Sequence, residues 1–313
     1  MNRVLVTGAA GFIGSAATSA LADLGIEVLA VDLEDRLTAI SGGGEAIGAT
    51  AFARQLGERG PSPLDDVDAV VHLGANADTM SLDVRSYRDD NYRLTAALLD
   101  ECAARQLRCV YASSAAVYGA AGSARDGDPD GCPLNVYGWS KLAGDVRARR
   151  LIARGAPLLG LRFFNVYGPN EAHKGRMASM VHQMVERVRR DEPIRLFGAS
   201  HGVEAGAQRR DFIAVDDVVA VIEWAVHRPE VCGVIDCGTG TAMSFNAVAD
   251  AVIRSFGQGT VEYVPFPDEL RDRYQAHTSA DPRILRNAGF DRPFTTIDDG
   301  VARMVSDGRP VGP

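Results

Sequence analysis

Four side chains stand out by type and spacing: Ser114, Tyr137, Lys141 and Lys174. Tyr137 and Lys141 lie four residues apart in a stretch that reads as a helix, so phenol and ammonium share one face. A phenol titrates near pH ~10 in water and becomes a usable base only where a cation stabilises the phenolate. An alcohol that gives up a hydride must also give up its proton, and this pair fits that task. Lys141 and an oxidised nicotinamide would supply the positive charge, and Ser114 would hydrogen-bond the same substrate oxygen. A Tyr-x-x-x-Lys pair alone is common on any helix and mostly structural, so its weight depends on what else the chain carries.

Of the 33 basic residues, Lys141 and Lys174 are the two lysines and all others are arginine. Guanidinium is effectively never deprotonated. A lysine in a chain that otherwise uses arginine therefore marks a place where a proton has to move. For Lys141 this agrees with the tyrosine pairing. For Lys174 it outweighs the bland alternative of a solvated loop lysine.

The elements that must position these groups are readable upstream. Val4 to Val6 form an apolar strand that runs straight into Thr7-Gly8-Ala9-Ala10-Gly11-Phe12-Ile13-Gly14 and then into an amphipathic helix. Glycines at this spacing permit a tight turn and bring backbone close to a pyrophosphate at the positive end of the helix. Asp32 closes the second strand, where a carboxylate accepts hydrogen bonds from both adenosine ribose hydroxyls and repels a 2′-phosphate. With Leu33, Glu34 and Asp35 beside it, NAD is favoured over NADP, although Arg36 could serve a phosphate. The small-residue turn after His72, with Gly74 and Ala75, would let the second half of the cofactor pass near the backbone.

Strand candidates at Val4 to Val6, Val28 to Val31, Ala69 to His72, Cys109 to Ala112 and Leu158 to Arg162 alternate with helical stretches. This pattern predicts an α/β fold with a Rossmann-type, doubly wound parallel sheet. After Pro169 the expected elements are a helix over about 176–190, a glycine-rich loop near 198–206, a helix opened by Asp216-Asp217, one more strand at Val234 to Asp236, and helices near 245–256 and 296–305. We expect residues 1–168 plus about 211–240 to form the dinucleotide domain. Residues 169–210 and 241–313 would form a smaller mixed α/β substrate domain. Ser41-Gly42-Gly43-Gly44 reads as a plain flexible loop.

Composition narrows the partners. A net charge of −8 with no basic stripe argues against nucleic acid. No apolar run approaches the ~18 residues of a membrane span, and the opening residues lack signal-peptide features, so a cytoplasmic location is expected. Cys102, Cys109, Cys132, Cys232 and Cys237 show no Cys-x-x-Cys spacing and read as free thiols, with no metal site.

Taken jointly, the glycine turn, Ser-Ser-x-x-Val-Tyr-Gly (Ser113 to Gly119) and Tyr-x-x-x-Lys resemble the extended short-chain dehydrogenase/reductase family. Longer blocks, Pro133 to Gly138, Phe164 to Ser179, Arg210-Asp211-Phe212, Tyr263 to Pro267 and Arg273-Tyr274-Gln275-Ala276, are similar to the ADP-glyceromanno-heptose 6-epimerases within it. That resemblance implies oxidation of a nucleotide-linked sugar to a transient ketone and re-reduction on the opposite face. Tyr137 and the His173-Lys174-Gly175 lysine would serve as the two acid/base groups, with the lysine's pKa lowered by the nicotinamide cation and a second lysine. It also implies cofactor contacts at Gly8, Gly11, Phe12, Ile13, Gly14, Asp32, Leu33, Gly74, Ala75, Asn91 and Lys141. Ser114, Asn165, Arg176, Gln183, Phe197, Arg210 and Tyr274 would hold the sugar nucleotide, and a homo-oligomer is implied. An epimerase acting at another carbon, or a nucleotide-sugar dehydratase or oxidoreductase, is the alternative. Four features depart from the family pattern: Asp32-Leu33 without nearby lysines, Arg176 in place of a serine, the stretch Asn76 to Ser81, and a long loop from Ser200 to Gln208.

Overall fold

The structure, a computed structural model, describes residues 1–40, 44–57, 60–121 and 131–306. The Ser41 to Gly43 part of the expected glycine loop and the last seven residues, 307–313, lie outside them.

The first half runs β1 (Arg3–Thr7), α1 (Phe12–Asp23), β2 (Glu27–Asp32), β3 (Ala46–Gly48), α2 (Ala49–Gly57) and β4 (Ala69–His72). It continues through α3 (Val84–Ser86), a π-helical segment Tyr87–Arg93, α4 (Leu94–Arg105), β5 (Arg108–Ser114), α5 (Val136–Ile152) and β6 (Leu158–Phe163). The second half is β7 (Asn165–Tyr167), α6 (Met180–Arg189), β8 (Ile194–Phe197), β9 (Arg209–Ala214), α7 (Val215–Val226) and β10 (Gly233–Cys237). Then follow β11 (Ala242–Ser244), α8 (Phe245–Phe256), β12 (Val261–Val264), α9 (Arg283–Asn287) and α10 (Ile297–Ser306).

Seven strands form one parallel sheet in the order β10-β6-β5-β4-β1-β2-β3. Every residue of β4 and β6 is buried, as expected of strands covered by helices on both faces. One apolar cluster joins the sheet to α1 and α7; the other joins it to α2, α4 and α5. Strand order reverses between β1 and β4, and in such sheets ligands bind in the crevice beyond the carboxyl ends of the strands. β7, β9 and β11 form a three-stranded sheet and β8 pairs with β12. These strands pack with α6, α8 and α10 around a separate core of Met184, Leu196, Phe212, Val252 and Val301.

Two details differ from the sequence expectation. The helix expected from 176 begins at Met180, because Gly175 takes φ +52° and Ser179 caps the helix by accepting from His182 N. Residues 172–177 instead form a separate 3-10 turn. The helix after Asn91 is preceded by the π-helical Tyr87–Arg93, which apolar spacing did not indicate.

His72 ties the sheet together at the switch point. Its ring nitrogens meet the Thr7 hydroxyl at 2.7 Å and the Thr95 hydroxyl at 2.8 Å, while Gly74 N donates to Thr7 Oγ1 at 3.1 Å. Burial, and then the Lys141 charge, push the imidazole down to about 3 from an ordinary 6.5. The folded state thus holds the ring neutral, and its contribution to stability is complete above pH 6.5 and lost as pH falls toward about 3. In thermal melts, His72→Gln should show a shallower loss of stability than the wild type between those pH values. Parallel curves would refute the assignment.

Candidate active site

The glycine turn is held by its packing. Gly8 sits at φ +71°, and a Cβ there would lie 2.7 Å from Gly74 N, so the turn after β1 and the turn after β4 touch backbone to backbone. A Cβ on Gly14 would fall 1.8 Å from Gly8 O. Gly11 caps α1 without any side-chain hydrogen bond, leaving first-turn N–H groups facing the turn. Asp32 is buried, with Ala10 N donating to Oδ2 and Leu33 N donating to Oδ1, both at 2.8 Å. Together these fit a dinucleotide: an anion-receptive helix start, a close backbone and a carboxylate at the end of β2. Leu33 is exposed beside Asp32, Ile13 packs under the turn, and Gly74 and Ala75 follow His72.

Asn91 fixes the second turn. It lies in the π-helical segment, where one helical turn is widened, a geometry frequent at functional sites. Its Oδ1 accepts from Asn76 N at 2.7 Å, and its Nδ2 donates to Asn76 O and to Ser140 Oγ on α5. Asn76 and Ser140 are positioning groups that the sequence did not single out.

Asn135 caps α5 by accepting from Gly138 N, which sets the height of Tyr137. Tyr137 hydrogen-bonds Ser114 at the end of β5 and meets the Tyr87 ring edge-on at 6.5 Å. Lys141 is buried on the same helix; its Nζ donates to Ala112 O at 3.0 Å and lies 5.8 Å from the Tyr137 ring centroid. The three expected groups are thus brought together. In this structure burial raises Tyr137, the Ser114 bond lowers it, and Tyr87 raises it again. Burial likewise pushes Lys141 down to about 8, against an upward pull from Asp145.

Lys174 reaches the same turn from the 172–177 segment. Its Nζ lies 4.6 Å from the centroid of the Phe12 ring, the residue that opens α1. Its charged partner in this structure is Glu171, at 2.9 Å. Glu171 is fully buried and also accepts from Gly168 N, Ser179 N and Ser179 Oγ. It locks the loop that carries Lys174, a role the sequence reading missed although Glu171 stands inside a recognised block.

The remaining predicted residues fall into two groups. Arg210 is buried, with its guanidinium 4.7 Å from the centroid of the Tyr274 ring and bonded to Arg209 O. Burial lowers its pKa, and among the described residues no carboxylate pairs with it. Phe197 meets Tyr274 edge-on at 6.2 Å, so these three form one aromatic and cationic corner, to which Phe266 and His201 add rings. Gln183 is tied to Ala178 O, Asn165 is exposed on β7, and Arg176 is exposed and pairs with Asp78. Gln275 bolts the segment carrying Tyr274 to the β5 side, donating to Gly119 O at 2.7 Å.

A pattern shared by a known protein family matches residues 4–237, from β1 to the end of β10. The chain belongs to the NAD dependent epimerase/dehydratase family. It is similar to the ADP-L-glycero-D-manno-heptose-6-epimerase of Alkalilimnicola ehrlichii, 42% identical over 310 residues and covering 96% of each chain. Among solved structures it resembles the Helicobacter pylori ADP-L-glycero-D-manno-heptose-6-epimerase, with a TM-score of 0.79, 25% identity, and 98% and 96% of the two chains covered. It also resembles MoeE5 in complex with UDP-glucuronic acid and NAD, with a TM-score of 0.78, 29% identity, and 97% and 98% covered.

Lys141 yields a prediction with opposite signs for function and stability. Lys141→Met should cut turnover by about 100-fold or more. It should also stabilise the fold by roughly 1–3 kcal/mol at pH 7, the relief of a buried charge minus the donor lost to Ala112 O. The wild-type cost is complete below about pH 8 and fades as pH rises toward 10.5, so the gap between the two proteins should close over that window. Melting curves from pH 6 to 10 check it; a variant less stable at every pH would refute it.

Proposed function

We propose that this protein is an epimerase of a nucleotide-linked sugar, acting on ADP-glycero-manno-heptose at carbon 6. The observation that carries the reading is Lys174. It lies against Phe12 of the glycine turn, on a loop separate from the Ser114, Tyr137 and Lys141 set. Inverting a carbon through a ketone needs a proton donor for the second face, whereas a net dehydrogenase needs no such second group. The similarity to the Alkalilimnicola ehrlichii enzyme supports the choice of sugar.

Residues of the chain would divide the work as follows. The glycine turn (Gly8, Gly11, Phe12, Ile13, Gly14) and the Gly74-Ala75 turn hold the dinucleotide backbone, with Asn91 keeping the second turn in place. Asp32 accepts from the ribose hydroxyls, and its charge disfavours a 2′-phosphate, so NAD is favoured over NADP. Bound NAD supplies reversible hydride removal at the carbinol carbon. Tyr137 Oη exchanges the substrate hydroxyl proton on one face, steadied by Ser114 and by the Lys141 ammonium. Lys174 Nζ exchanges it on the other, and Glu171 orients that ammonium. Arg210 is suited to a diphosphate, because a buried guanidinium without a carboxylate partner favours an incoming anion. Phe197 and Tyr274 flank it, and Asn165 and Gln183 face the sugar.

This reading assigns residues 1–168 with about 211–240 to the cofactor, and 169–210 with 241–313 to the sugar nucleotide. It also places the enzyme in the cytoplasm as a homo-oligomer. The exposed Trp139 on α5 is an apolar face available to a second copy.

Incubation with ADP-D-glycero-β-D-manno-heptose, followed by NMR, should yield the L-glycero epimer with no build-up of NADH. Lys174→Met should lower the rate by at least about 100-fold while leaving cofactor content unchanged. Stoichiometric NADH would replace the epimerase reading with an oxidoreductase, and a different epimer would move the carbon.

A further inference from the structure

Two of the chain's departures from its family pattern meet in space. Arg176 follows the His-Lys-Gly block, and Asp78 lies in the atypical stretch after β4, 98 residues away; their side chains pair at 2.7 Å. Asp78 is prepared for this contact. Its second oxygen accepts from Met80 N at 2.9 Å, its own N–H donates to Asn76 Oδ1, and its carbonyl accepts from the Tyr87 hydroxyl. Tyr87 is the ring that meets Tyr137 edge-on. On the other side, Arg176 stands two residues from Lys174 on the short turn that Glu171 anchors from within. A continuous line of contacts therefore runs from the Lys174 turn, through Arg176 and Asp78, to Tyr87 and Tyr137.

We propose that Arg176 and Asp78 are a positioning pair: their bridge sets the Lys174 turn at its working distance from the Tyr137 side of the cleft. The Lys174 turn is short, is broken by Gly175 at φ +52°, and is followed by the capped start of α6. Glu171 fixes the base of the turn, and Arg176 ties its far end to the opposite wall. This inference deepens the two-group reading of the site and rests on it.

The pair is largely solvated, with side chains 72% and 30% exposed, so its effect is bounded. A solvated pair commands about three- to fivefold in rate, fading in salt as the Debye length shrinks to about 4 Å at ~0.5 M. With ADP-D-glycero-β-D-manno-heptose as substrate, Arg176→Ala and Asp78→Asn should each lower kcat about three- to fivefold and leave KM within about twofold. The double variant should be no worse than either single one, and the swap Arg176→Asp with Asp78→Arg should recover at least about half the lost rate. A rise in KM with kcat intact would overturn the proposal, making Arg176 a substrate ligand; additive losses would also overturn it. A second readout does not need turnover. Amide hydrogen exchange should quicken together in 172–177 and 78–83 on Arg176→Ala at low salt, and the wild type should approach that pattern at ~0.5 M salt. Coupled quickening in a wild type that inverts no heptose would refute the sugar assignment and keep the bridge; unchanged exchange would refute the bridge.

Discussion

Burying the Lys141 ammonium works against the fold, and a chain of charges behind it offsets part of that cost. Asp145, one helical turn further along α5 and fully buried, pulls Lys141 upward while desolvation pushes it down. Asp145 in turn accepts from Arg162 Nε at 2.9 Å and from the Tyr111 hydroxyl at 3.0 Å. The Arg162 guanidinium lies 4.7 Å from the centroid of the Tyr118 ring, and Tyr118 donates to Asp236, whose carboxyl burial raises to about 6. Charges of alternating sign thus run from α5 across β6 to β10. Removing Arg162 would strand Asp145 in a low-dielectric interior, which costs more than the pair gains. β10, contributed late in the chain, docks beside β6 and brings Asp236 to this network.

The chain's other lysine is held on the opposite principle. Lys174 is a quarter exposed and pairs with a carboxylate that is wholly buried. Glu171 takes backbone and hydroxyl donors from both sides of its loop, so the anion is fixed by hydrogen bonds. One lysine is buried on a helix and shifted by desolvation. The other, a quarter exposed, is located by a loop.

Much of this was legible in the sequence. The glycine turn, Asp32 and the Tyr137–Lys141 spacing follow rules of local geometry, and fully apolar strands such as Leu158 to Leu161 announce a sheet covered on both faces. What escaped depends on partners distant in sequence. β3 has three residues, too few for a period, and is a strand because β2 pairs with it. The π-helical turn at Tyr87–Arg93 exists because Asn91 must reach both Asn76 and Ser140, which no pattern within the helix encodes. Spacing placed Lys141 on the right face, but only the fold shows its Nζ turned to the Ala112 carbonyl.

The arginine bias acquires a physical meaning in this setting. Arg108 is buried and donates to the Ala225 and Val231 carbonyls, Arg162 holds Asp145, and Arg210 waits in an aromatic corner. Each of these is a place for a permanent, multidentate charge. Position 141 offers one carbonyl acceptor beneath a phenol, where a guanidinium would leave several donors buried without partners and would never yield its charge. An ammonium needs less company, and its proton affinity can be moved by burial, as the fall to about 8 demonstrates. The two positions where the chain keeps lysine are a single-carbonyl pocket beneath a phenol and a loop site paired with a buried carboxylate.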